Sequence, residues 1–131
     1  MNSGQGARTT AAPCGVEMFR NLEQSALDAI PTALCVCAAD ATLICYNRRA
    51  AELWGRAPRI GDKSESFGGG FARFQPDGNV LPFTETPVAR ALRTGERVLG
   101  AEVGIERPDG SRVSVLMNVA PLKSATGGVT G

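Results

Sequence analysis

Arg97-Val98-Leu99-Gly100-Ala101-Glu102-Val103-Gly104-Ile105-Glu106 runs through Pro108-Asp109-Gly110 into Ser111-Arg112-Val113-Ser114-Val115-Leu116-Met117-Asn118-Val119, and this stretch decides the fold. On the first arm Leu99, Ala101, Val103 and Ile105 alternate with Val98, Gly100, Glu102, Gly104 and Glu106, the period of two of a half-buried strand. On the second arm Val113, Val115, Met117 and Val119 alternate with Ser114, Leu116, Asn118 and Ala120. Pro-Asp-Gly supplies the fixed φ, the side-chain acceptor and the φ > 0 residue of a short hairpin loop. Each arm is about ten residues, beyond the roughly five or six of an ordinary strand. A hairpin of that length needs a cover on its apolar face.

Upstream, Phe19, Leu22, Ala26 and Ala29 or Ile30 recur at helical spacing, opposite Arg20, Asn21, Glu23 and Gln24. This predicts an N-terminal amphipathic helix over Val16–Ile30, ended by Pro31. Ala33–Cys37 and Thr42–Tyr46 read as a second hairpin turning at Asp40. Asn47 stands where an N-cap belongs, Arg48–Trp54 is rich in helix formers, and Gly55 suits the C′ position. Arg56–Gly70 is irregular, and Phe67, Phe71 and Phe74 read as inward apolar anchors. Pro76-Asp77-Gly78 is a turn. Thr86-Pro87 opens a helix with the stripe Val88, Ala91 and Leu92, closed at Thr94-Gly95. After the long hairpin, Ser124–Gly128 is a turn and Val129-Thr130-Gly131 resembles the first residues of a further strand. Antiparallel strands with helices grouped between them make the class α+β.

At 131 residues the expectation is one domain, residues 16–131, behind a disordered lead-in over 1–15. A 43% hydrophobic fraction with 21% charged residues is that of a soluble globular chain, and a net charge of +1 gives no case for nucleic acid or an anionic membrane. No membrane partner is expected, since no apolar run approaches the roughly 18–20 residues of a span. Cys14, Cys35, Cys37 and Cys45 read as free thiols, which fits a reducing cytoplasm. The chain has no histidine. That removes histidine-based nucleophile systems and histidine-ligated zinc or haem.

Leu27-Asp28-Ala29-Ile30-Pro31-Thr32-Ala33 and Tyr46-Asn47-Arg48-Arg49-Ala50-Ala51-Glu52-Leu53-Trp54-Gly55 resemble the opening of a PAS sensor domain. Gly100-Ala101-Glu102 through Glu106–Val113, then Ala120-Pro121-Leu122, look like its two long strands. The run from Pro76 through Thr86-Pro87 to Glu96 is similar to PAS domains found ahead of bacterial sensor histidine kinases. The resemblance covers about residues 20–131 and implies an antiparallel sheet of about five strands with short helices on one face. It also implies a non-catalytic sensory module of a signalling protein, a homodimer formed through the N-terminal helix, a C-terminal output domain and a small apolar ligand. The fifth strand would begin where the sequence stops. The expectation is a piece of a longer protein, the alternative a strand lent by a partner chain. The Gly-x-Asn-Cys-Arg-Phe motif of flavin photosensors is absent, so the cofactor is left open and no flavin adduct is implied.

Candidate pocket residues are Cys35, Cys37, Trp54, Phe67, Phe71, Val103, Val115 and Met117. Each has a plainer reading as core. Cys35, Cys37 and Cys45 also support an alternative function, a thiol redox switch. Glu85, Glu102 and Glu106 form no acid–base pair with a nucleophile, so neither a catalytic residue nor a metal ligand is expected.

Overall fold

A computed structural model describes residues 14–63 and 73–131. The chain folds as α+β with two antiparallel sheets. The first holds β1 (Cys35–Cys37) and β2 (Leu43–Tyr46); the second has the order β3 (Arg73–Phe74), β4 (Val98–Glu106), β5 (Arg112–Val119). The helices are α1 (Gln24–Asp28), α2 (Arg48–Trp54) and α3 (Pro87–Thr94), with 3-10 turns at Gly15–Phe19 and Phe83–Glu85.

The long hairpin forms, and its alternation holds from Ala101 onward, whereas Leu99 of the expected apolar face is 66% exposed beyond a register slip. Val103 and Ile105 are buried on β4 and pair with Val115 and Val113 of β5. Asp109 accepts from the Ser111 N–H at 2.9 Å, and Gly110 takes φ +88°, the left-handed conformation the turn demands. The register slips between Val98 and Ala101, where the Asn118 side chain accepts from the Gly100 N–H at 2.8 Å. The caps also form where expected. Asn47 accepts from the Ala50 N–H, Thr86 accepts from the Ala89 N–H, and Gly55 and Gly95 close their helices in the left-handed region.

The N-terminal segment differs from the single helix expected over Val16–Ile30. It is a 3-10 turn and the short α1, separated by an extended Glu23 at ψ 144°. Val16 and Leu27 both belong to one cluster with Val36 and Cys45. On a continuous helix those two residues would lie about 16 Å apart along the axis. Breaking the helix lets both reach the same cluster, and leaves Leu22 and Ala26 of the expected stripe exposed.

The second cluster, Leu43, Ala50, Trp54 and Ile105, ties the two sheets together through α2. Asn47 joins the two layers. It is fully buried, and its amide bonds α1, the approach to β1 and the start of α2 at once.

β3 is a strand the sequence did not announce. It turns at Pro76-Asp77-Gly78 and returns so that the Leu81 N–H donates to the Arg73 carbonyl. Phe74, expected to point inward, pairs with Gly104, whose missing side chain leaves room for the Phe74 Cβ. The Arg112 guanidinium lies 3.8 Å from the centre of that ring and covers it. Phe74 is therefore buried on the outer face of the sheet, under a cation.

The described residues form two sheets that do not join. Among the described residues β1 pairs only with β2, and β5 only with β4. Val129 bridges back to Lys123, and the Thr130 carbonyl accepts from the Ala39 N–H just beyond β1 at 2.9 Å. Gly131 ends against the Cys37 carbonyl, in the wall of the slot between β1 and β5.

Candidate functional site

A cavity of about 580 Å³ lies between β1, β5 and the helices α2 and α3. Cys35, Cys37, Trp54, Val115 and Met117 of the expected residues stand in its wall. Val103 lines a smaller inner chamber of about 60 Å³ that shares Cys35, Cys37, Trp54 and Met117 with the larger one. Phe67 and Phe71 lie outside the described residues.

Each side chain is placed by its element. Trp54 ends α2, where the helix turns its last residue toward β4, and its ring lies 5.5 Å from that of Tyr46. The Tyr46 hydroxyl donates to the Pro58 carbonyl at 2.6 Å, which fixes the ring against which Trp54 rests. Val88 and Leu92 reach the cavity from α3, whose Ala91 is small enough to seat the helix on β4 and β5. Met117 and Val115 come from β5. The walls are mainly hydrocarbon, so the chamber favours apolar ligands with few polar groups.

The three thiols expected together are divided. Cys35 and Cys37 face the cavity, whereas Cys45 pairs with Val36 and packs beside Val16 and Leu27. None of the four cysteines forms a disulfide. Cys35 is exposed on β1 and borders the cavity. Loss of solvation pushes its thiol pKa up to about 12, helped by Cys37 and Cys45. Burial raises Cys45 as well.

Arg73 is the residue that reading the sequence missed. It pairs with the buried Ile105 and so points to the inner side of the sheet, into the wall of the small chamber. Its guanidinium lies 5.8 Å from the centre of the Phe83 ring. Desolvation holds its pKa below the ordinary arginine value, against the pull of Cys35. The only sequence signal was the order Arg73-Phe74, in which one residue must face in and the other out.

Among the described residues no helix is long and apolar enough to cross a membrane. No protein-family model and no curated protein matches the chain. Among solved structures, the photo-excited blue-light photoreceptor Vivid is 18% identical and superposes with a TM-score of 0.51, over 96% of this chain and 81% of that one. Strand order, the helices over one face and this superposition agree: the chain has the α+β PAS/LOV fold.

Proposed function

We propose that this chain is a sensory module of a signalling protein, in which occupancy of the central cavity biases how the helices pack on the sheet. The observation that carries this reading is the cavity of about 580 Å³, walled by side chains from β1, α2, α3 and β5 together. A ligand touching four elements at once has differential contacts with any two packings of them, which is the requirement for shifting a population. Native mass spectrometry of freshly purified chain tests it. A small molecule retained at one copy per chain is the expected result, and a chain that stays empty against a panel of apolar ligands would falsify ligand sensing.

The similarity of residues 76–96 to PAS domains preceding bacterial histidine kinases supports that context, with the output domain C-terminal and a cytoplasmic setting. Self-association belongs to the same reading. Met18 and Leu22 are 51% and 44% exposed on the N-terminal segment and offer an apolar contact. Removing the whole segment would also strip the buried Val16 and Leu27, so a point test is cleaner. Replacing Met18 and Leu22 by Ser is expected to shift a dimer toward monomer in sedimentation, with the circular-dichroism spectrum of the folded chain unchanged. An unaltered dimer would place the contact elsewhere.

The alternative, a thiol switch through Cys35, Cys37 and Cys45, draws no support from this geometry. The thiolate is the reactive species, and loss of solvation disfavours it at both Cys35 and Cys45.

A further inference from the structure

The 3-10 turn at Gly15–Phe19 is capped from the far end of the chain. Its own N-cap residue, Cys14, makes no side-chain hydrogen bond to the turn. The Thr130 hydroxyl takes that place and accepts from the Val16 N–H at 2.8 Å, across 114 positions of sequence. Gly15 permits the approach, since a Cβ there would strike the Thr130 hydroxyl oxygen.

Thr130 holds two further segments with its remaining polar groups. Its hydroxyl donates to the Leu122 carbonyl at 3.1 Å, and its N–H donates to the same carbonyl at 2.7 Å. Its own carbonyl accepts from the Ala39 N–H at 2.9 Å. A threonine hydroxyl carries one proton and two lone pairs, so the bonds to Leu122 and from Val16 are made together. The N-terminal turn, the end of the first sheet and the chain leaving β5 thus meet at one residue. Each of the three also supplies a residue of the cavity wall: Phe19, Cys37 and Leu122. Phe19 and Leu122 pack on the cluster that contains Val16 and Leu27.

A five-residue turn has little stability of its own, so its docking depends on such long-range contacts. We propose that Thr130 couples the cavity to the N-terminal segment. A molecule that touches Phe19 and Leu122 together makes both contacts only while the turn is docked, and so favours the docked state. The Val16–Thr130 hydrogen bond holds the turn in that state. The inference rests on the reading of the cavity as a ligand site and adds how occupancy reaches the segment that carries Met18 and Leu22.

Trp54 is the only tryptophan and lines the cavity, so its emission reports binding of a probe, 1-octanol, with calorimetry as a second readout. Hydrogen exchange over residues 14–22 of the full chain reports docking of the turn. Saturating octanol is expected to slow that exchange about fivefold or more, the lower end of ordinary coupling between two sites. In Thr130→Val the segment exchanges faster and octanol no longer slows it, although Trp54 still reports binding. Thr130→Ser, which keeps the hydroxyl, restores the response. Octanol bound at Trp54 with no change of exchange in the wild-type chain overturns the coupling and leaves the cavity reading standing. The same fold of slowing in Thr130→Val as in the wild type also overturns it. Failure of octanol to bind removes the cavity reading and the coupling with it. Should Thr130→Val fail to fold, Gly15→Ala decides in its place, because it pries the turn from Thr130 and leaves the bonds to Leu122 and Ala39 intact.

Discussion

Asn47→Ala is expected to lower the thermal midpoint of this chain by about 10 °C or more, the largest effect of any polar substitution in it. Asn47 is fully buried, and its Oδ1 accepts from the Leu34 and Ala50 N–H groups, both at 3.0 Å. Its Nδ2 donates to the carbonyls of Thr32 at 2.7 Å and Leu27 at 3.2 Å, with Ile30 at 3.4 Å. Truncation removes a helix cap worth about 1 kcal/mol and leaves buried donors and acceptors unpaired at about 1–3 kcal/mol each. A total of about 3–5 kcal/mol is a large part of the roughly 5–15 kcal/mol that holds a domain together. Asn47→Asp separates the two halves of the side chain. It keeps the acceptor but turns a carboxylate oxygen toward three carbonyls. At neutral pH it should be no more stable than Asn47→Ala. Repulsion and burial raise the introduced carboxyl's folded pKa above its unfolded value, so its protonated form is favoured in the fold. The lost stability therefore returns as pH falls through that raised pKa and goes again as pH rises. Circular-dichroism melts of both variants between pH 4 and 7 measure this. An Asn47→Asp chain as stable as wild type at neutral pH would show that the amide network carries little of the fold.

Leu43→Ala is the second, expected to cost about 3 kcal/mol in urea unfolding. Leu43 is 0% exposed and sits among Ala50, Trp54 and Ile105, which come from α2 and β4. The hole left behind is bounded by a helix and a strand of the other sheet, each fixed by its own hydrogen bonds, so collapse cannot fill it. The control is Leu116→Ala. Leu116 is 73% exposed on β5, and its removal should change stability by less than about 0.5 kcal/mol. Similar losses in the two variants would mean that Leu43 is not at the centre of the core.

Local patterns were legible in the sequence where both partners of an interaction lie a few residues apart. The β4–β5 hairpin follows from its period of two and Pro108-Asp109-Gly110. The helices α2 and α3 follow from Asn47 with Gly55 and from Thr86 with Gly95, each cap closing a hydrogen bond within a turn of its own residue. The class α+β followed from the order of those elements, and the candidates Cys35, Cys37, Trp54, Val115 and Met117 from apolar residues on elements already placed.

Contacts across the chain were decided by the tertiary structure alone. Whether residues 16–30 formed one helix depended on Val16 and Leu27 meeting the same cluster beside β1 and β2, a demand invisible in local periodicity. Two residues, Arg73 and Phe74, have no alternation to read, so their faces were set by pairing with Ile105 and Gly104, some thirty positions away. The separation of Cys45 from Cys35 and Cys37 came from its register with Val36. The cavity depends on the same kind of fact: two sheet edges held apart, with hydrocarbon behind them and one guanidinium turned inward. Sequence determined which elements this protein has because their causes are local. Only folding determined what they enclose, because the enclosing partners are distant along the chain.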